Sequence, residues 1–424
     1  MKKKVLTILM SVAIALAALS SCSKSEETTK AATTTTATTA ATSETSEETT
    51  TDATTEESSS ETEASSEEST AASEEKKNSE NPFGDPNGTH KVTDHAGKEV
   101  EVPNTINRIV VGSFYPLASV ITEYLGSAEK IVGIHPVSMS AAENGLLGQI
   151  YPEILNAKTE FISGDEVNLE ELILLKPDIV IGVGDEQAEK IREAGIPALA
   201  TSASAWNYDI IETYEHWIDL LDQVFGGSDF AKTVMSKSDA IHADILEKTK
   251  DLKDEEKARV LVLFKYTDAA MVASGVNFFG QWWCESVNAY NVASEVEGGS
   301  ILKISMEQVY EWNPDIIIIT NFCGTQPEDL YNNAIGNDDW STINAVKNKK
   351  VYKMPLGLYR SYTPGGDSPV TMQWMAQAIY PEIFKDIDIR KVAKEYYKEM
   401  CNYDLSDEQL DMMFIPSRDA ARGL

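Results

Sequence analysis

The chain has 424 residues, with 68 Asp or Glu against 36 Lys or Arg and a formal net charge of -32. So acidic a balance argues against a nucleic-acid partner, which needs basic surface. The four cysteines, Cys22, Cys284, Cys323 and Cys401, are too few and too scattered for a disulfide framework or a zinc motif.

The N-terminus carries an address. Lys2, Lys3 and Lys4 precede an apolar run from Val5 to Leu19, too short to span a bilayer comfortably, and then Leu19-Ser20-Ser21-Cys22. This site is similar to a bacterial lipobox. It implies a signal peptide over 1–22, a lipid on Cys22, and a mature protein anchored on the outer face of the cytoplasmic membrane through that lipid alone. Residues 23–88 are a Ser-, Thr- and Glu-rich stretch almost without large apolar side chains before Phe83. Such a segment cannot offset its ordering entropy, so a disordered tether is expected, with an end-to-end distance on the order of 45 Å or more. Ser/Thr-rich stalks of this kind are also candidates for glycosylation.

From about residue 89 the pattern becomes that of an α/β protein. Val92 to Pro103 predicts a β-hairpin around Gly97, and Arg108 to Gly112 a buried strand. Leu117 to Leu125 has helical spacing and stops at Gly126; Lys130 to Ile134 is the next strand. Asn168–Ile181 reads NLEELILLKPDIVI and Ser305–Ile318 reads SMEQVYEWNPDIII. In both, a polar cap is followed by Glu, a short helix, a Pro-Asp pair and a β-branched run. The copies are separated by far more than a solenoid period, so they predict two similar α/β lobes, 89–228 and 254–424. Glu170 and Glu307 hold the same place in the two copies. Asn168 with Glu171, and Ser305 with Gln308, have capping-box spacing, which puts both Glu side chains in an exposed first turn.

After the first copy a strand (Asp178 to Val183), a helix (Glu186 to Ala194) and a strand (Pro197 to Thr201) are expected. Residues 229–253 lack Pro and Gly, and Phe230, Val234, Ile241, Ile245 and Leu252 share one helical face. One helix of roughly 24 residues would measure about 36 Å, long enough to join the lobes. The second lobe predicts strands at Arg259 to Lys265, Asp315 to Thr320 and Val351 to Met354. Its helices are expected from Phe279, over Trp340 to Val346, and around Trp374 to Ile379.

The hairpin opening, the run from Arg108 through Gly133, the two Glu-bearing segments, the long mid-chain helix and the late MQWMAQAIYPEIF segment occur in an order that resembles the solute-binding proteins of ABC importers for iron–siderophore complexes, haem and vitamin B12. The resemblance covers about residues 89–420. It implies two Rossmann-like lobes joined by a single long helix (the class III arrangement), a ligand cleft between the lobes, and no enzymatic activity or cofactor. It implies a monomer that binds a small-molecule metal chelate and passes it to the transmembrane subunits of an ABC permease. It also implies that Glu170 and Glu307 dock to Arg residues of that permease.

Ligands of doubly wound lobes sit beyond the carboxyl ends of the strands. That rule selects Ser113 to Pro116, His135-Pro136, Gly184-Asp185 and Ser202 to Trp206 in the first lobe. In the second it selects Tyr266-Thr267, Asn277 to Trp283, Phe322 to Thr325 and Leu358 to Tyr362. Arg360, flanked by Tyr359 and Tyr362, offers a planar fork of donors to an anionic ligand. Tyr115, Trp282 and His135 are the remaining candidates. The expected ligand is a ferric, siderophore-like chelate, with haem, a corrinoid or an oxyanion such as molybdate as alternatives. A binder of free zinc or manganese would need a His–carboxylate cluster that the five His do not form. An extracellular enzyme would need a catalytic motif that is absent. A surface sensor or adhesin on the same fold would lack the permease.

Overall fold

A computed structural model describes residues 81–296 and 298–421; Cys22 and the bulk of the expected tether lie outside them. The antiparallel hairpin β1 (Thr89–Thr93) and β2 (Glu99–Pro103) turns at Gly97, whose φ of 77° favours glycine. The expectation of a tether up to residue 88 is corrected at its end. Asn81 donates its side-chain amide to Asn104 O at 2.9 Å, and the Phe83 ring stacks on His90 with centroids 3.6 Å apart, so 81–88 are held against the hairpin.

The first lobe continues with β3 (Ile109–Val111), α1 (Leu117–Leu125), β4 (Ile131–Gly133), α2 (Pro136–Asn144) and α3 (Leu147–Ile150). A two-strand ribbon follows, β5 (Ile162–Ser163) and β6 (Glu166–Val167), then α4 (Leu169–Leu174), β7 (Ile179–Val183), α5 (Asp185–Glu193), β8 (Ala198–Ala200) and α6 (Ile210–Phe225). Its sheet has the order β4-β3-β7-β8, all parallel. Because both faces are covered, β3, β7 and β8 are buried at every position.

The single helix α7 (Asp229–Thr249) leaves this lobe, capped by the Ser228 hydroxyl. Its 21 residues span about 31 Å. It packs on α1 and α6 of the first lobe and on α12 of the second. Ala231, Val234, Ser238, Ile245 and Thr249 make its buried face; Phe230 and Ile241 are only half-buried, and Leu252 lies beyond its end.

The second lobe comprises β9 (Arg259–Thr267), β10 (Ala270–Ser274), α8 (Phe279–Glu285), β11 (Tyr290–Asn291), β12 (Ile301–Lys303), α9 (Met306–Trp312), β13 (Ile316–Ile319), α10 (Pro327–Tyr331), α11 (Asn344–Lys347) and β14 (Val351–Lys353). It ends with α12 (Ser368–Ile379), α13 (Ile389–Cys401), α14 (Asp407–Phe414) and a 3-10 turn, Arg418–Ala421. Its sheet runs β12-β10-β9-β13-β14, with β11 also on β9. β9, β13 and β14 are parallel, matching β3, β7 and β8, whereas β10 is antiparallel to both its neighbours. The duplicated segments supply α4–β7 and α9–β13. The helix expected from Trp340 forms only over Asn344–Lys347, since the buried Trp340 indole is held by Tyr266 Oη at 3.0 Å.

Candidate functional site

After β14 the chain does not return to solvent: residues 353–370 are buried throughout. A loop can be buried only if its polar backbone finds partners, and this one finds them in both lobes. Asp367 Oδ2 accepts from Leu358 N at 2.9 Å and from the Tyr397 hydroxyl at 2.8 Å. Asn321 donates to Met354 O and Pro355 O. From the first lobe, Leu146 N donates to Gly357 O at 3.1 Å, and Glu123 Oε2 accepts from Gly366 N at 3.3 Å.

Arg360 projects from this loop and is fully buried. Its Nε and Nη2 donate to Ala420 O at 3.3 and 2.9 Å, and Nη1 reaches the Tyr359 hydroxyl at 3.4 Å. The guanidinium lies over the rings of Phe322 and Tyr359, 5.2 and 5.6 Å from their centroids. Burial pushes the Tyr359 phenol up to about 12 against the opposing pull of Arg360, so it is neutral and can donate. Nearby, Lys353 Nζ donates to Thr320 O, Cys323 O and Thr325 O at 2.7–2.9 Å, and burial lowers its pKa to about 8.

The terminal turn forms a cover over Arg360. Arg418 grips Asp329 bidentately at 2.6 and 2.7 Å, which holds that carboxyl below the usual carboxylate range. Gln326 Nε2 donates to Pro416 O at 3.1 Å, and the turn packs against α2 of the opposite lobe, where Ser140 Oγ lies 3.5 Å from Asp419 O. The turn therefore crosses from one lobe to the other.

On the first-lobe side, the Tyr115 hydroxyl donates to Asp165 Oδ1 at 2.8 Å; burial, then the Asp165 charge, raises its pKa. The Tyr115 and His135 rings are 4.4 Å apart, and both residues lie within electrostatic reach of Arg360. His135 Nδ1 accepts from Val137 N at 3.0 Å, and Nε2 lies 2.7 Å from Gly164 O. Both ring nitrogens are thus engaged, with the proton on Nε2, and burial lowers its pKa; His135 is a cap for α2 with no lone pair left for a metal.

The structure thus gathers Arg360, Tyr359, Tyr115 and His135, and separates the other two candidates. The Tyr362 hydroxyl is spent on Ser274 Oγ at 2.8 Å and Gly280 N at 3.1 Å; its ring packs among Phe264, Phe278, Phe279 and Phe322. Trp282 lines a different opening of about 370 Å³ with Trp206, Asp209 and Glu285, apart from Arg360. Sequence reasoning selected the Phe322 loop but missed Lys353, the Asp165 partner of Tyr115 and the terminal turn. No local pattern pairs Asp165 with Tyr115, and nothing in the spacing of 415–421 signals a cover. Among the described residues no cluster of three or more His, Cys, Asp or Glu could hold a metal ion, and no helix is long and apolar enough to cross a membrane. Cys284, Cys323 and Cys401 are free thiols.

Glu170 and Glu307 are exposed in the first turns of α4 and α9. Asn168 caps α4 by accepting from Glu170 N and Glu171 N. The expected cap at Ser305 does not form; its hydroxyl serves the Glu307 carboxylate and lowers that pKa.

Comparison with known proteins gives a consistent set. A family model described as periplasmic binding protein matches residues 117–356. A molybdate-binding protein of Haemophilus influenzae is 26% identical over 73% of this chain and 90% of its own length. An uncharacterised ABC transporter substrate-binding lipoprotein of Bacillus subtilis is 26% identical over 70% and 87%. The crystal structure of a periplasmic solute-binding protein from Veillonella parvula superposes with a TM-score of 0.68 at 32% identity, covering 78% of this chain and 98% of that one.

Proposed function

The chain belongs to the periplasmic binding protein family, the solute-binding components of ABC importers, and we propose that the solute it carries is an anion seated against Arg360. The observation that carries this reading is local charge. In a chain of net charge -32, Arg360, Lys353 and Arg418 come within electrostatic reach of one another near the carboxyl end of β14, where this fold puts ligands, with Arg418 paired to Asp329. Arg360 presents a rigid fork suited to paired oxygens. A compact oxyanion of the molybdate class fits this charge, and the similarity to the Haemophilus molybdate-binding protein supports it. A second reading, an anionic ferric chelate, is favoured by the Phe322 and Tyr359 rings that face the Arg360 guanidinium.

In either case the protein binds and hands over its cargo without converting it. The similarity to the Bacillus lipoprotein supports an extracytoplasmic location with a lipid on Cys22. The carrier works as a monomer with permease subunits, and Glu170 and Glu307 supply charge for docking.

Titration with molybdate, tungstate, a ferric catecholate and haemin, followed by tryptophan fluorescence and calorimetry, tests the ligand. One anion should bind one-to-one. Arg360→Ala should weaken it about ten- to a hundred-fold, since a buried charge-assisted bond contributes about 1.5–3 kcal/mol. Normal binding by folded Arg360→Ala would refute the site.

A further inference from the structure

The duplicated segments align without a gap from Asn168 against Ser305 to Asp178 against Asp315. In that register Glu170 matches Glu307, and Ile173 matches Tyr310, each three residues on and therefore on the same helical face as its Glu. Ile173 is 50% exposed and Tyr310 44%, and neither packs against a core cluster. Scattered exposed apolar side chains are ordinary and need no account. These two are different because they recur at one position of a repeat, next to an apolar pair, Leu172 and Val309, that is buried as core. Leu155, Leu246 and Tyr290 are also exposed but have no such counterpart.

Both side chains are held stiffly. Tyr310 donates its hydroxyl to Asp339 O at 2.8 Å, which fixes the ring while leaving its face open. Ile173 is β-branched and has little rotamer freedom in a helix. Apolar groups that are ordered before binding lose little entropy on burial, which is what interface anchors require. In each lobe the helix directly precedes the central parallel strand, β7 or β13, so the two acid-plus-apolar pairs are related by the same operation that relates the lobes. A partner that matches such a surface has two equivalent sites, each with a cationic group and an apolar socket about one helical turn away.

We propose that Ile173 and Tyr310 are the apolar anchors of the permease-docking surface, inserted into equivalent sockets of the two membrane subunits, with Glu170 and Glu307 setting the register. This rests on the importer reading above. Leu174, 71% exposed but matched by Glu311, makes the first lobe's footprint the more apolar of the two.

The test measures affinity of the full-length protein for its importer's permease–ATPase complex in nanodiscs, with Leu246→Ser as the control for an exposed apolar residue outside the repeat. Ile173→Ser and Tyr310→Ser should each weaken docking about ten-fold, and the double variant about a hundred-fold. Tyr310→Phe should keep most of the affinity. Molybdate titration and sedimentation of all variants should match wild type. Double-variant binding within two-fold of wild type would overturn the proposal while leaving the importer reading intact. Failure of the wild type itself to bind the complex would overturn the importer reading as well. A wild-type dimer that the double variant dissolves would reassign the pair to self-association and also overturn the proposal.

Discussion

Breaking the Arg418–Asp329 clasp should make the cleft easier to enter. Arg360 is fully buried, and part of what buries it is the turn whose Ala420 carbonyl takes two of its donors. An anion approaching that guanidinium must displace this carbonyl, so binding draws on the fraction of molecules whose turn has lifted. The clasp is one restraint on lifting. Its Asp329 side chain is only 11% exposed but Arg418 is 56% exposed. An exposed pair contributes at most about 1 kcal/mol; bidentate geometry and a sheltered carboxylate place this one at about 1–2 kcal/mol. Removing it should raise the open fraction, and with it the apparent association rate, by about five- to thirty-fold while that fraction remains small. Stopped-flow tryptophan fluorescence with the anion found by titration would measure the rate for Arg418→Ala, with Asp329→Asn as a second route to the same loss. Hydrogen exchange over 415–421 should accelerate in both. An unchanged or slower association rate, with exchange in the turn accelerated, would refute the argument and make the turn part of the ligand's own seat.

Two further outcomes follow from other groups. Burial, then the nearby Asp367 charge, raises the pKa of Glu123 well above its ordinary value. The stability this gives is complete below about pH 4.5 and is lost as pH rises toward the folded value. Melting temperature should therefore fall between pH 5 and pH 8, and Glu123→Gln should flatten the slope by up to one proton's worth; identical slopes would refute this. Cys22→Ala should abolish incorporation of labelled lipid in bacterial cells, and persistent labelling would disprove the anchor.

Much of the scaffold was legible in local patterns. Leu117–Leu125 ends at Gly126, whose φ of 64° makes it a left-handed stop, and the β-branched runs after the two Pro-Asp pairs are buried strands. The repeat exposed the common β3–β7–β8 and β9–β13–β14 plan. The antiparallel β10 was missed because it folds back from β9 through a short turn near Asp268-Ala269 that carries neither Gly nor Pro. Helix α13 carried a usable signal, with Asp388 as cap, Ala393, Tyr396 and Tyr397 on one face, and Asn402 as stop. For the candidate site, the rule for strand ends selected Arg360, Tyr359, Tyr115 and His135, which the structure brings near one another. Whether a hydroxyl faces ligand or core depends on distant partners, such as Ser274 for Tyr362, and no local spacing encodes that.

The unbroken course of α7 between the lobes has a consequence for traffic at the membrane. A continuous helix transmits position, so the separation of Ile173 from Tyr310 should change little when cargo arrives. A permease that gauges that separation would then receive empty carriers nearly as well as loaded ones. Delivery would depend on the loaded share of the carrier pool as well as on the total solute, and overproducing the carrier when solute is scarce would slow uptake by crowding the dock with vacant molecules.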